Sequence, residues 1–501
     1  MAVAALWAGL LAVTLAVPLT FMADDALFYV VIGRNVAAGD GITFSQVMPT
    51  NGFQPLWQGF VAAATWVASA VGHGSPIGIL RATLLLYFAV VGLGVAIFDR
   101  VLRRCRSSVL GRVLAALGAV VFLAGPVGVV GSEAALVFVS LGGVLLLVDV
   151  LSRAVAVPRV MLIGAGALLG VLMLSRLDTV FVAGAAVLAV AGLGPAPSGV
   201  RWVRAATLLV TASVVVGPYL AWNLAEFGRL LPISGAIKLD GLRLQVSPGA
   251  IGRSGWALLA IGVTAGAVAF AGSTSRRALV VWAVPLAGAV VASAFYILLS
   301  PGGFTDLEWY RVPHLAAALV AVAVAVTRLE ASAARPTVGV AALGTSLLLL
   351  GTGWVITTRR LEGPNRELFD PLEAFGYASD RALPDGAVVA TVDYPGVLGL
   401  TDEHPLVALD GLTGDFSFQE DLRDLGAACA LSNRGVTHLI TITDERLVAI
   451  PGEAGAFRQP VGSWLNDRPV GSIRVDEEGL VLDDPRSGLS LWRVDLDCRG
   501  R

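Results

Sequence analysis

Charged residues are scarce in this sequence. They make up 14% of its 501 residues, whereas 56% are hydrophobic. Because a soluble globular protein carries about 25% charged residues, the composition excludes an ordinary soluble protein. It predicts instead an α-helical protein that crosses a lipid bilayer many times. No nucleic-acid partner is expected.

Lysine is nearly absent, and neither cysteine nor histidine forms a metal-binding pattern. Lys238 is the single lysine among 35 basic residues, which reflects either a GC-rich bacterial genome or a site that needs a compact ammonium group. No metal-ligand spacing links the sulfur and imidazole groups, which include Cys105, Cys429, Cys498, His73, His314 and His404. No cofactor is therefore expected, and a metal requirement remains open. A disulfide between Cys429 and Cys498 remains open, and it would require an extracytoplasmic location.

The charge is distributed unevenly between two regions. Residues 1–355 contain 21 basic and 12 acidic side chains, whereas residues 356–501 contain 14 basic and 25 acidic ones. This change predicts a transmembrane domain over 1–355, followed by an acidic, water-facing domain over 356–501.

About eleven segments are apolar enough to cross a membrane. They are roughly 4–22, 77–98, 110–130, 133–150, 160–174, 177–194, 203–222, 255–271, 278–299, 311–327 and 337–355. The first of them lacks a basic start and a cleavage site, so we interpret it as a retained helix and not a signal peptide.

Basic side chains fix the predicted orientation. If 53–71 does not cross, thirteen arginines fall in short cytoplasmic loops against three acids, as the positive-inside rule requires. This predicts a multi-pass protein of the bacterial plasma membrane with a cytoplasmic N-terminus and an extracytoplasmic C-terminal domain. The 53–71 stretch then lies along the outer surface, with Trp57 and Trp66 at the interface.

Two adjacent carboxylates, Asp24 and Asp25, begin the outer loop over 23–76. The apolar residues that follow have helical spacing, so the pair lies at a helix N-terminus, where carboxylates are favoured by the helix dipole. One interpretation is helix capping alone. The other is a general base held near an acceptor hydroxyl, with repulsion between the two charges raising one pKa.

Six short motifs follow one another along the chain. In order, they are Asp24-Asp25, Asn51-Gly-Phe-Gln54-Pro-Leu-Trp57, Gly131-Ser-Glu133-Ala-Ala-Leu136, Arg176-Leu-Asp178, Pro232-Ile-Ser-Gly-Ala-Ile-Lys238 and Leu409-Asp-Gly-Leu412. Together they resemble the GT-C superfamily of membrane glycosyltransferases, and more narrowly the bacterial dolichyl-phosphate-mannose protein mannosyltransferase-like group. The loop of that group typically reads Asn-Gly-Phe-His-Pro-Leu-Trp, and this chain has Gln54 in place of the histidine.

The resemblance implies transfer of a sugar, with inversion, from a polyprenyl-phosphate-sugar donor to a cell-envelope glycan, lipid or protein acceptor. Asp24 and Asp25 are the implied catalytic residues, and Asp24 is the favoured base. A phosphate at membrane depth needs cations, and the candidates are Arg176, Lys238 and Arg311. The residues expected to bind the acceptor are Arg34, Asn51, Gln54, Trp57, Glu133 and Asp178.

Each of these residues also has a structural interpretation. Arg176 and Asp178 are suited to an ion pair between two helices, and Glu133 to a helix cap. Lys238 and Arg311 are suited to an anchoring role at the membrane surface.

The C-terminal region has the strand and helix order of an α/β domain. Strands are predicted at 387–392, 405–409 and 436–442, with a helix over 418–431. Asp393 and Asp410 follow the first two strands, where ligands often bind, although turns also favour aspartate there.

Two other functions remain open from the sequence: a flippase or transporter for a lipid-linked substrate, and a non-catalytic envelope scaffold. A transporter would need polar residues within its spans or a repeat between its halves, and the sequence has almost none of the former and no visible repeat. The sugar is also open, with mannose and a pentose such as arabinose both compatible.

Overall fold

The computed structural model describes residues 2–125, 129–238, 244, 246–270, 275–299, 307–332, 364–442, 447–451, 453, 456–463, 468–496 and 498. Within these ranges the chain forms a helical body, two helices in its first long loop, and a C-terminal domain that contains β-sheets.

Ten helices in the described ranges coincide with the first ten predicted segments. Six of them are long and apolar enough to cross a membrane. The predicted segment 337–355 lies outside the described residues. The ten are α1 (Ala2–Ala16), α5 (Pro76–Arg104), α6 (Val109–Ala124), α7 (Ala134–Leu151), α8 (Arg159–Ser175), α9 (Val180–Gly192), α10 (Ser198–Phe227), α12 (Gly252–Phe270), α13 (Arg276–Leu299) and α14 (Val312–Ala331).

Four further helices lie between these segments. They are α2 (Pro18–Phe21), α3 (Asp24–Ala38), α4 (Pro55–Ala70) and α11 (Ile233–Lys238). Helix α3 has both aspartates in its first turn and ends at Gly39, whose φ of 95° is unfavourable for other residues. Helix α4 begins at Pro55, where the missing N–H costs nothing.

Trp57 corrects one prediction. Its ring is fully buried, and its Nε1–H donates to the carbonyl of Gly131 at 2.9 Å, so it belongs to the core and not to the membrane surface. Trp66, on the opposite side of α4, is 62% exposed, as an interfacial residue should be.

The C-terminal domain is built on a five-stranded sheet with the order β2–β1–β3–β8–β7. Its central pairing is parallel: β1 (Val389–Thr391) lies between β2 (Leu406–Ala408) and β3 (His438–Ile442) and runs parallel to both. Strands β7 (Leu480–Asp484) and β8 (Leu489–Arg493) continue the sheet in antiparallel pairing. The three predicted strands are confirmed as β1, β2 and β3.

Four helices accompany this sheet: α15 (Pro364–Ala382), α16 (Pro395–Thr401), α17 (Phe416–Asp424) and α18 (Ala427–Ser432). The single helix predicted over 418–431 is therefore wrong. Gly426, at φ 81°, separates two short helices there, because that left-handed conformation cannot continue a helix.

A second sheet contains β4 (Val448–Ala449), β5 (Ala456–Ser463) and β6 (Arg468–Asp476), all antiparallel. A disulfide joins Cys429 on α18 to Cys498.

The helical body and the C-terminal domain share one apolar core. Buried side chains of α3, such as Leu27 and Val31, belong to the same cluster as Phe375, Leu398 and Leu406 of the C-terminal domain. The chain therefore packs its last domain directly on the helices that follow the aspartate pair.

Candidate active site

A cavity of about 280 Å³ lies where the helical body meets the C-terminal domain. Helix α3, residues 52–54 and five further segments of the helical body form most of its wall, and Leu412 of the C-terminal domain completes it. The lining residues are Asp25, Ala26, Phe28, Tyr29, Gly52, Phe53, Gln54, Ser132, Glu133, Arg176, Leu177, Asp178, Val180, Phe181, Leu231, Pro232, Ser234, Gly235, Phe295, Tyr296, Trp309, Tyr310 and Leu412.

Arg176 is the centre of a buried ionic network in this wall. Helix α8 ends at Ser175, and the extended backbone of Arg176 turns its side chain towards α7. Its guanidinium pairs with Glu133 through Nη1 and with Asp178 through Nε at 2.9 Å. Tyr29 donates to the other oxygen of Glu133 at 2.9 Å, and Tyr296 donates to Asp178 at 2.6 Å.

This network holds both tyrosines in the cavity wall as hydrogen-bond donors. Burial, and next the neighbouring charge of Glu133, raise the pKa of Tyr29 well above its ordinary value, so the hydroxyl keeps its proton. The ring of Tyr310 lies 3.6 Å from the guanidinium carbon of Arg176, in cation–π geometry. The structure thus contains the ion pair between Arg176 and Asp178 that the structural interpretation of these residues predicts.

The two aspartates have different surroundings. Asp25 lines the cavity, whereas Asp24 does not. The carboxylate of Asp24 accepts the N–H groups of Gly396 and Val397 at 3.0 and 2.9 Å, across 372 residues of sequence. Burial outweighs these two hydrogen bonds and raises the pKa of Asp24 to about 7.

The polar residues of the loop motif at 51–57 have two different roles: one lines the cavity, and the other holds neighbouring helices in place. Gln54 lines the cavity, and its side-chain oxygen accepts the N–H of Leu177 at 3.3 Å. Asn51 is fully buried elsewhere: it donates to Asn223 at 3.0 Å and accepts the N–H of Ile233 at 2.9 Å. Asn51 therefore fixes α10 and the start of α11.

The remaining basic candidates lie outside the described cavity wall. Arg34 donates to the carbonyls of Leu400 and Gly399 at 3.1 and 2.8 Å. Arg311 is fully buried and donates to the carbonyl of Ala250 at 3.1 Å. Lys238 ends α11, of which Ser234 and Gly235 line the cavity, but the Lys238 side chain lies outside the described part of the structure.

The charges of the described lining residues are not balanced. Three carboxylates, of Asp25, Glu133 and Asp178, face one guanidinium, that of Arg176. The rest of the wall is mainly aromatic and aliphatic, so charges in the cavity are poorly screened. An anionic ligand would therefore need a further cation.

No protein-family model and no curated protein matches the sequence. ArnT from Cupriavidus metallidurans bound to undecaprenyl phosphate is 16% identical, with a TM-score of 0.55 over 95% of this chain and 98% of that one. The chain shares the fold of ArnT. In the apo state ArnT gives a TM-score of 0.52, again at 16% identity, over 94% of this chain and 98% of that one.

The archaeal oligosaccharyltransferase AglB from Archaeoglobus fulgidus is less similar: 12% identity and a TM-score of 0.48 over 85% of this chain and 66% of that one. The match to ArnT over nearly the whole length of both chains confirms the predicted fold class, a helical body with apolar, membrane-spanning helices followed by a C-terminal α/β domain.

One metal-compatible group lies apart from the cavity. Within the described ranges, Asp380, Asp402 and His404 offer ligand atoms within 4.8 Å of one another. His404 Nδ1 is 2.9 Å from the buried Asp402, which also accepts the hydroxyl of Ser379 at 3.0 Å, so these polar atoms already have partners.

Sequence reasoning missed the aromatic donors and the C-terminal contribution to the wall. Tyr29 was detectable, because it lies four residues after Asp25 and thus on the same face of a helix. Tyr296 gave no such signal, since its partner Asp178 lies on another element. Leu412 belongs to the motif at 409–412, but that motif does not indicate that Leu412 lines the cavity.

Proposed function

We propose that this protein is an integral membrane glycosyltransferase that moves a sugar from a polyprenyl-phosphate carrier to an acceptor of the cell envelope. One observation carries the proposal: Asp25 lines a cavity between helical body and C-terminal domain, in a fold shared with a protein crystallised with undecaprenyl phosphate.

In the proposed reaction an acceptor hydroxyl oxygen attacks the anomeric carbon as the bond from that carbon to the phosphate oxygen breaks. The hydroxyl proton passes to Asp25, and the phosphate leaves on its polyprenyl chain without needing a proton. Attack opposite the leaving group inverts the anomeric centre. Asp25 is preferred to Asp24 as the base, because Asp24 accepts two backbone amides outside the cavity.

The donor phosphate needs a cationic ligand. Arg176 is flanked by two carboxylates, so we assign it mainly to holding Glu133 and Asp178. Lys238 is then the preferred phosphate ligand, because Ser234 and Gly235 of the same short helix line the cavity. An ammonium on a flexible stem suits a phosphate group that arrives and leaves.

The finer predictions from the sequence form part of this proposal. We place the chain nearest the bacterial mannosyltransferase-like group, with mannose or a pentose as the sugar and a glycan, lipid or protein as the acceptor. We also propose a plasma-membrane location with the C-terminal domain outside the cytoplasm. The disulfide between Cys429 and Cys498 supports that orientation, because disulfides persist in oxidising compartments.

Envelope glycans from a deletion strain test the proposal. We expect the loss of one glycan, its recovery with the wild-type gene, and no recovery with Asp25→Asn at equal expression. Unchanged glycans in the deletion strain would favour a scaffold. Recovery by Asp25→Asn would remove the base assignment, and glycan intermediates trapped on the cytoplasmic face would indicate a flippase.

A further inference from the structure

Helix α16 of the C-terminal domain is bound at its first turn by α3. Its residues Gly396 and Val397 donate their N–H groups to Oδ2 and Oδ1 of Asp24. The first N–H groups of a helix have no partner within the helix. Asp24 therefore supplies acceptors from another domain for two donors that would otherwise be buried without them.

The other end of α16 is bound by the same helix. Arg34, ten residues after Asp24, donates to the carbonyls of Leu400 and Gly399. A carboxylate at the start of α16 and a guanidinium at its end match the direction of its backbone dipoles. One face of α3 thus holds both ends of α16.

Glycine allows the two helices to lie this close. A Cβ atom at Gly396 would lie 2.8 Å from Oδ1 of Asp24 and 2.9 Å from Cβ of Leu27, closer than real Cβ contacts allow. At Gly399 a Cβ would lie 3.0 Å from the ring of Phe44. The chain is therefore in close contact with α16 at both glycines.

This contact is continuous with the cavity wall. The chain passes from α16 through β2 to Leu412, which lines the cavity. Leu412 lies directly against Gly52 of the 51–57 loop: a Cβ at Gly52 would overlap the Leu412 carbonyl. It also packs beside Ile233 and Ile237 of α11. Holding α16 on α3 therefore also holds Leu412 in the cavity wall that Asp25 lines.

We propose that Asp24 is a positioning residue: by binding α16 it seats the C-terminal domain over the cavity and so sets the surroundings of Asp25. This inference rests on the proposed function, since it assigns the proton transfer to Asp25. Asp24 and Arg34 act together as one clamp, and neither side chain takes part in the chemistry.

Amide hydrogen exchange on the full-length protein in nanodiscs reports the clamp without requiring activity. In Asp24→Ala we expect peptides covering residues 395–401 to exchange at least tenfold faster, because both acceptor oxygens are gone. Arg34→Ala should loosen the same segment from its other end, which provides a second variant if Asp24→Ala folds poorly. Unchanged exchange in both variants would overturn the proposal.

Glycan restoration in the deletion strain separates positioning from catalysis. We expect the restoration rate to fall at least tenfold for Asp24→Ala but to stay within about threefold of wild type for Asp24→Asn, whose amide oxygen still accepts one N–H. Asp25→Asn should lose at least a hundredfold, as expected for a general base, with normal exchange over 395–401.

Failure of the positioning role and failure of the proposed function would give different results. If Asp24→Asn were as inactive as Asp25→Asn while residues 395–401 stayed protected, Asp24 would be the proton acceptor and the positioning role would be wrong. If the deletion strain showed no glycan defect, the proposed function would fail and the positioning role with it, whereas the exchange data would still show whether the clamp exists.

Discussion

Glu133 should contribute strongly to the stability of the helical body, because it neutralises a buried guanidinium. The side chains of Glu133 and Arg176 are only 4% and 6% exposed. Replacing Glu133 by glutamine keeps the shape and removes the charge. Breaking a buried ion pair in this way costs about 3–5 kcal/mol. Asp178 still pairs with Arg176 at 2.9 Å, so we expect the lower end, about 3 kcal/mol.

The free energy of unfolding can be measured by titrating the purified protein with SDS in mixed micelles. Arg103→Gln is the matched control, because it also breaks an arginine–carboxylate pair, with Asp99, but the Arg103 side chain is 66% exposed. An exposed pair contributes below about 1 kcal/mol. If Glu133→Gln lowered the free energy of unfolding no more than Arg103→Gln, Glu133 and Arg176 would not form a buried ion pair.

Three further predictions concern the C-terminal domain. Gly396→Ala should destabilise this domain by about 1–3 kcal/mol through overpacking against α3, which can be measured as faster proteolysis of the domain. Gly184→Ala is the control and should have no such effect, because a Cβ at Gly184 meets no atom within 4 Å. Equal effects of the two substitutions would argue against the close contact. Burial raises the pKa of Asp24 from 3.8 to about 7. Between these two pH values, the folded protein therefore holds a proton on Asp24 that the unfolded chain has released. The stabilisation from that proton is complete below pH 3.8 and is lost as the pH rises through 7. The Tm of wild type should therefore fall more between pH 5 and 8 than that of Asp24→Asn, and parallel curves would contradict this. The Cys429–Cys498 disulfide closes a loop of 69 residues and should stabilise the domain by about 4 kcal/mol. In denatured, unreduced protein only one of the three cysteines should react with iodoacetamide. Three reactive thiols would contradict the disulfide.

Hydropathy and short motifs predict the architecture and part of the site. Apolar segments of the right length can fold only as helices in a bilayer, and ten of them are helices within the described ranges. The motifs also bring together Asp25, Gln54, Glu133, Arg176 and Asp178, which span more than 150 positions but line one cavity.

The roles of single residues were less predictable, because backbone groups that need a partner leave no trace in the sequence. Asp24, Arg34 and Asn51 look like ligand-binding residues by type, yet each satisfies main-chain N–H or carbonyl groups of a distant element. Local periodicity reports which face of a helix is buried but not what lies against it.

The position of Leu412 in the cavity wall, and of α16 against α3, has a consequence for biosynthesis. Asp24 and its partner Gly396 are 372 residues apart, and at 5–20 residues per second the ribosome needs roughly 20–75 s to bridge that distance. Until then the helices around Asp25 lack the residues that cover them. The site is therefore completed only when the end of the chain has folded, so a truncated or stalled product would insert its helices but remain without a closed cavity.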